Sequence, residues 1–207
     1  MACREQSNIA IAEMDKELLL NFIQHSLPVP TQTASYIADQ FDNKVILKND
    51  YFLEAGTVSN DYLFLADGFM RAFTYDADGN DVTTAFYTKN RIVLEASSFF
   101  MRTVSAETIQ ALTDCTGFSL SFDKLNRLFH SVPEFREFGR AMLVRQLVAL
   151  KQRTLSMINK KAEERYVDLF ESNRDIFQHA QLRHIASYLG VTDTSLSRIR
   201  RDFSKNG

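Results

Sequence analysis

After the β-like stretch the hydrophobic pattern changes to a helical period at Pro133, and that switch restricts the chain to folds that join a β unit to a helical one. From Val45 to Phe122, aromatic and β-branched residues come in short runs broken by turn signals at Asp67-Gly68 and Asp78-Gly79-Asn80. Between those turns Phe69, Arg71, Phe73 and Tyr75 share one parity, and Met70, Ala72 and Thr74 share the other. This alternation fits a strand that enters from one tight turn and leaves into the next. Most of the 17 phenylalanines lie before Gly139, which predicts an aromatic core for a small barrel or roll. The class expected is therefore α+β.

Beyond Pro133 the spacing is helical. From about Glu134 to Met157 there is no proline and no glycine after Gly139, and Phe135, Phe138, Met142, Leu143, Leu147 and Leu150 recur mostly three or four residues apart. A helix of this length needs something to cover its apolar stripe, either the β unit of the same chain or a second copy in a dimer seam. A further helix is expected from Ala162 to Ser172, with Tyr166, Leu169 and Phe170 facing inward, and then a short connection from Asn173 to Gln181.

The stretch from Leu182 to Phe203 divides into two helices at Gly190. In the first, Leu182, Ile185, Ala186 and Leu189 form a one-sided apolar face, on which the small Ala186 permits close approach of the second helix. Gly190 supplies the positive φ of a tight helix end, Thr192 can cap the next helix, and Asp193 suits its positive N-terminal end. In the second helix Leu196, Ile199 and Phe203 make the buried stripe, which leaves Thr194, Ser197, Arg198 and Arg201 outside. Such a face, short-chained first and cationic further on, fits the major groove of DNA. The residues expected at DNA are Thr192, Thr194, Ser195, Ser197, Arg198, Arg200, Arg201 and Lys205. Arg198 is the candidate for a bidentate guanine contact, while Arg200, Arg201 and Lys205 are candidates for phosphate. The alternative is a helical hairpin with solvated arginines that contacts another protein.

The stretches Ala162-Glu163-Glu164-Arg165-Tyr166, Ile185-Ala186-Ser187-Tyr188-Leu189-Gly190-Val191 and Ser195-Leu196-Ser197-Arg198-Ile199-Arg200 resemble the Crp/Fnr family of transcriptional regulators. The resemblance covers the chain from about Phe41 onwards and includes the hairpin pattern Leu65-Ala66-Asp67-Gly68 with Asp76-Ala77-Asp78-Gly79. It implies a cyclic nucleotide-binding-like jelly roll (double-stranded β-helix) with N-terminal helices over 1–130, a long dimerisation helix over 131–158 and a helix-turn-helix over 159–207. By the same resemblance the partners are double-stranded DNA at a palindromic site, a second copy of the chain, and RNA polymerase. In relatives that bind cyclic AMP, a Gly-Glu pair holds ribose and an Arg-Ser pair about ten residues later holds phosphate. This chain has Leu94-Glu95 and Ser105-Ala106 at those places, with Arg102 nearby as a displaced cation. Glu95, Arg102 and Ser105 are thus the candidate ligand residues, and cyclic nucleotide is disfavoured because the phosphate lacks its arginine. The family's β-hairpin wing is also missing, since only Asn173 to Gln181 precede the motif.

Composition narrows the alternatives. There are 13 basic and 19 acidic side chains up to Leu150 but 11 and 7 beyond it, so the helical end carries the positive charge. All four histidines (His25, His130, His179, His184) lie outside the β region, which argues against a metal-lined cupin enzyme. Cys3 and Cys115 cannot make a four-thiolate cluster or a disulfide framework. Neither a phosphate loop nor a nucleophile elbow occurs, so no enzyme is expected. The first thirty residues lack a secretory pattern and no apolar run reaches membrane-spanning length, so the expected location is the cytoplasm.

Overall fold

The computed structural model describes residues 16–206, the side chain of Asn206 excepted, so the secretory reading of the first fifteen residues and Cys3 lie outside the described residues. Two helices, α1 (Lys16–Ser26) and α2 (Thr31–Ala38), precede β1 (Asp42–Ile46), β2 (Tyr51–Leu53), β3 (Asp61–Asp67), β4 (Met70–Tyr75), β5 (Asp81–Tyr87) and β6 (Arg91–Val93). A short helix α3 (Ala96–Met101) leads into β7 (Thr108–Ala111) and β8 (Cys115–Ser121), and α4 (Phe122–Ser131) leads into the long α5 (Pro133–Asn159). The last elements are α6 (Ala162–Ser172), α7 (Asp175–His179), α8 (Leu182–Leu189) and α9 (Asp193–Asn206). The strands form two antiparallel four-stranded sheets, ordered β1-β8-β3-β6 and β2-β7-β4-β5. This is the jelly roll expected from the alternating pattern, with helices packed outside it.

The expected aromatic core is in a different place. The interior between the sheets is aliphatic, built from Ile46, Leu53, Leu63, Leu65, Met70, Val93 and Ile109, with Cys115 unpaired among them. The phenylalanines lie instead between the β1-β8-β3-β6 sheet and its helices, where Phe64 and Phe118 meet Phe22, Phe41, Phe99, Phe135 and Phe138. Alternation shows that one parity of a strand is buried but not whether it faces the opposite sheet or a helix, so the rings could have filled either layer. Gly68 makes the β3–β4 turn at φ 106°, where a Cβ would lie 2.6 Å from the Cys115 sulfur. Nothing but glycine fits there.

Pro133 opens α5 at a position where its missing N–H is not needed. Only the first third of α5 enters the hydrophobic core of its own chain, through Phe135 and Phe138 with Met142 packed beside them; near its end Arg153 and Met157 touch the helices that follow. Farther along, Leu143, Leu147 (66% exposed), Leu150 and Met157 stand at heptad spacing in the open, flanked by Val144, Val148, Leu155 and Ile158. Of the two coverings considered from the sequence, the chain's own core supplies one at the start of the helix, and the stripe beyond it lies exposed. The connection from Asn173 to Gln181 is not irregular, because it holds the short helix α7. No described helix is long and apolar enough to cross a membrane.

Candidate nucleic-acid interface

The helix-turn-helix is set by its turn. Gly190 ends α8 at φ 67°, ψ 38°, and the Val191 amide donates back to the Ala186 carbonyl at 3.0 Å, closing a Schellman-type end. The Thr192 hydroxyl accepts from the Ser195 amide at 3.2 Å, and the Thr192 carbonyl accepts from the Leu196 amide at 2.9 Å, so Thr192 caps α9. Leu196 and Ile199 are buried against Ile185, Ala186 and Leu189. Phe203 closes the bundle with Tyr166, Phe170 and Phe177 in edge-on ring contacts.

This packing exposes every residue expected at DNA: Thr192, Thr194, Ser195, Ser197, Arg198, Arg200, Arg201 and Lys205. The Thr192 hydroxyl is within 3.1 Å of the Thr194 hydroxyl and 3.0 Å of the Ser195 hydroxyl, a polar cluster at the helix start. Among the described residues the guanidinium groups of Arg198 and Arg200 make no hydrogen bond or ion pair, and that of Arg201 has only the adjacent Asp202, 3.7 Å away. Several unpaired cations beside a row of hydroxyls can donate simultaneously to phosphates and base edges.

The Ala162-Glu163-Glu164-Arg165-Tyr166 stretch supports that head. The Glu164 carboxylate accepts from the Lys161 amide at 2.7 Å and so fixes the start of α6. Arg165 donates twice to the Leu189 carbonyl, at 2.8 and 3.1 Å, and once to the Lys160 carbonyl at 2.7 Å. It therefore ties the end of α8 to the α5–α6 junction and places a cation at a helix C-terminus. Arg153 of α5 was not anticipated. It donates to the Thr84 carbonyl of β5 and to the Tyr188 carbonyl of α8 (3.2 Å), and it stacks 4.1 Å from the Tyr188 ring.

One part of the α8 reading needs correction. Leu182, expected on the apolar face, is 40% exposed, while His184 is only 4% exposed. Leu182 is the first residue of the helix and stays outside the buried cluster, whereas His184 lies by Arg71 and Asp81 at the β4–β5 face of the roll. There the Arg71 guanidinium, itself buried, clasps the Asp81 carboxylate at 2.7 and 2.5 Å and lies over the Phe73 ring. Burial, with Arg71 nearby, pushes the His184 imidazole down to about 4, which keeps it neutral. The outward parity of β4 is covered as well: Phe69 belongs to the helical core with Phe86, Ile185 and Leu189.

The candidate ligand residues are occupied within the fold. The Glu95 carboxylate caps α3, accepting from the Ser97 and Ser98 amides at 3.1 and 2.6 Å. Arg102, left-handed at φ 56°, donates to the Ser59 carbonyl (2.7 Å) and the Asn60 side chain (2.5 Å) and stacks on Phe122. Ser105 is buried and bonds only to backbone of Glu107 through its hydroxyl. Burial raises the nearby Tyr87 phenol above its ordinary value, and the carboxylates of Glu107 and Glu95 push it the same way. An anionic phosphate at this place would meet carboxylates and no uncommitted guanidinium, so the residues present do not fit a cyclic nucleotide.

Residues 43–132 match the model of the cyclic nucleotide-binding domain family. No curated protein sequence matches the chain. Among solved structures, FixK2 from Bradyrhizobium japonicum superposes with a TM-score of 0.71 at 18% identity, covering 81% of this chain and 86% of that one. A Eubacterium rectale protein assigned to the crp/fnr family of regulators gives 0.69 at 14% identity, over 90% and 89% of the two chains. CLP of Xanthomonas campestris, a c-di-GMP responsive global regulator, gives 0.67 at 12% identity, over 86% and 93%. The chain thus matches the cyclic nucleotide-binding domain family over residues 43–132 and shares its overall fold with these three solved regulator structures.

Proposed function

We propose that this protein is a homodimeric, sequence-specific DNA-binding transcriptional regulator, in which 1–130 forms the sensor, 131–158 the dimer seam and 159–207 the reading head. One observation carries the reading: a capped, glycine-turned helix pair holds Thr194, Ser197, Arg198 and Arg201 on one solvent-facing side, with the Arg198 guanidinium unpaired among the described residues. The exposed heptad of Leu143, Leu147, Leu150 and Met157 supports pairing of two α5 helices, which covers apolar surface a monomer would leave in water. Two recognition helices related by a two-fold axis reach successive major grooves, so the site is palindromic with half-sites about 34 Å apart. RNA polymerase is the further partner that regulation of transcription requires, and the protein works in the cytoplasm. The effector is not a cyclic nucleotide, given the carboxylates around Tyr87 and the commitments of Glu95, Arg102 and Ser105.

Selection from a random-sequence duplex pool, followed by anisotropy at increasing salt, tests this. Binding to an enriched palindrome that weakens steeply as salt rises is the expected result. No retention of any duplex at about 50 mM salt refutes it and leaves a module acting through protein contacts. Arg198→Ala should cost about 1–3 kcal/mol at one base position, whereas Arg201→Ala should weaken all sequences alike.

A further inference from the structure

We propose that the groove where the end of α5 meets α6 and α8 is a ligand site for an amphipathic anion, an acyl chain ending in one carboxylate. The groove has a volume of about 590 Å³, within the range of cavities that hold small molecules. It shares no residue with the region of Glu95, Arg102 and Ser105.

Its charge is one-sided. Arg153, Lys160 and Arg165 line it against one carboxylate, that of Asp168, which Lys160 holds at 2.6 Å. Among the described residues the two guanidinium groups meet carbonyl oxygens and no carboxylate, Arg153 at Thr84 and Tyr188, and Arg165 at Leu189 and Lys160. The end of α8 that Arg165 faces carries only about half a negative charge, so the groove stays positive. Those bonds take two of the five N–H donors of Arg153 and three of those of Arg165. The donors left over can hold a carboxylate through charge-assisted hydrogen bonds.

The body of the ligand follows from the apolar lining. Leu155 and Met157 of α5 are exposed, and Leu169 of α6 is half-buried. The one aromatic ring among the lining residues, Tyr188, is already engaged by Arg153 at 4.1 Å and by Phe86 at 5.2 Å. A flat ligand such as a nucleobase therefore finds no free ring to stack on, whereas leucine and methionine side chains conform to a flexible chain. A bound chain also touches Met157, whose methyl lies against Gly190 at the turn of the helix-turn-helix. Its consequence for DNA rests on the DNA-binding reading, and the binding itself does not.

Isothermal titration of the full-length protein with decanoate tests the site, with decyltrimethylammonium as the cationic control of equal chain length. Saturable binding of one decanoate per chain, a shifted Met157 methyl resonance and no binding of the cation are expected. Asp168→Asn removes the carboxylate from the lining and should tighten decanoate about threefold to tenfold, and Lys160→Gln should weaken it by a similar factor. Both positions are exposed, so neither change disturbs the core. Ser156→Trp fills the groove and should abolish binding with sedimentation unchanged. Absence of saturable binding in wild type and Asp168→Asn, equal binding of the cation, or equal affinities of Asp168→Asn and Lys160→Gln overturns the proposal. So does retained binding by Ser156→Trp, or a shift from dimer to monomer in that variant, which would give the groove to a second copy of the chain. If Ser156→Trp does not fold, the Asp168→Asn and Lys160→Gln comparison decides. Decanoate binding as expected in a protein that retains no duplex from a random-sequence pool upholds the site and sinks the DNA reading alone.

Discussion

Replacing His184 separates a titration from a packing contribution. The imidazole is pushed down to about 4 by burial, with Arg71 and Arg183 adding to the effect and Asp81 and Asp193 opposing it, whereas in the unfolded chain it titrates near 6.5. Between those values the unfolded state binds a proton that the folded state does not, so stability rises with pH in that window. Contributed stability is complete above about pH 6.5 and is lost as pH falls toward 4. Integrating the two titrations gives a loss of up to about 2 kcal/mol between pH 7.5 and pH 5, and about 3 kcal/mol at the acid limit. His184→Leu removes the titrating group and both unpaired ring nitrogens at similar volume. Urea unfolding followed by far-UV circular dichroism, a probe suited to a chain without tryptophan, should find the variant as stable as wild type or more so at pH 7.5. The wild-type slope between pH 6.5 and 5 should be flattened in the variant by up to about 2 kcal/mol. Protein concentration must be held constant throughout, because dimerisation shifts apparent stability. A loss above about 1 kcal/mol at pH 7.5 would mean that the ring has a favourable partner, and an unchanged acid slope would mean that another group titrates.

Other substitutions address separate parts of the fold. Thr192→Ala removes the cap of α9 and should cost about 1 kcal/mol in the same unfolding assay. Gly190→Ala forces a side chain into φ 67° with its Cβ 2.5 Å from the Met157 methyl, so it should cost about 1–2 kcal/mol and lower DNA retention. Leu147→Glu places a charge in the exposed heptad and should shift sedimentation from dimer to monomer with circular dichroism unchanged; a persisting dimer would put the seam elsewhere. Cyclic AMP and cyclic GMP should each leave the melting temperature unchanged at about 1 mM, and stabilisation by either would overturn the reading of Ser105 and Glu107.

What could be read from the residues was local. Gly190, Thr192 and the Leu196, Ile199, Phe203 stripe act within a few positions of one another, so their spacing carried the helix-turn-helix. The same holds for the Asp67-Gly68 turn and the helix from Ala162 to Ser172. Local pattern does not say which layer a side chain enters, and the phenylalanines were therefore placed inside the roll when they lie between a sheet and its helices. Arg71 and Asp81 read as ordinary polar strand residues because their pairing is meaningful only once α8 covers that sheet.

In α8 the span and one face were legible and the other face was not. A helix packed on one side is amphipathic, and Ile185, Ala186 and Leu189 provide the expected stripe. Its second face is His184, Ser187 and Tyr188, residues that look solvent-facing in a helical pattern yet here meet β5 and Arg153. A permanently buried second face would be served better by apolar residues, because polar groups without partners weaken burial. The second face of α8 is thus a polar junction between the roll and the helical head, and the unpaired buried atoms among the described residues lie in that junction and not in the aliphatic interior of the roll.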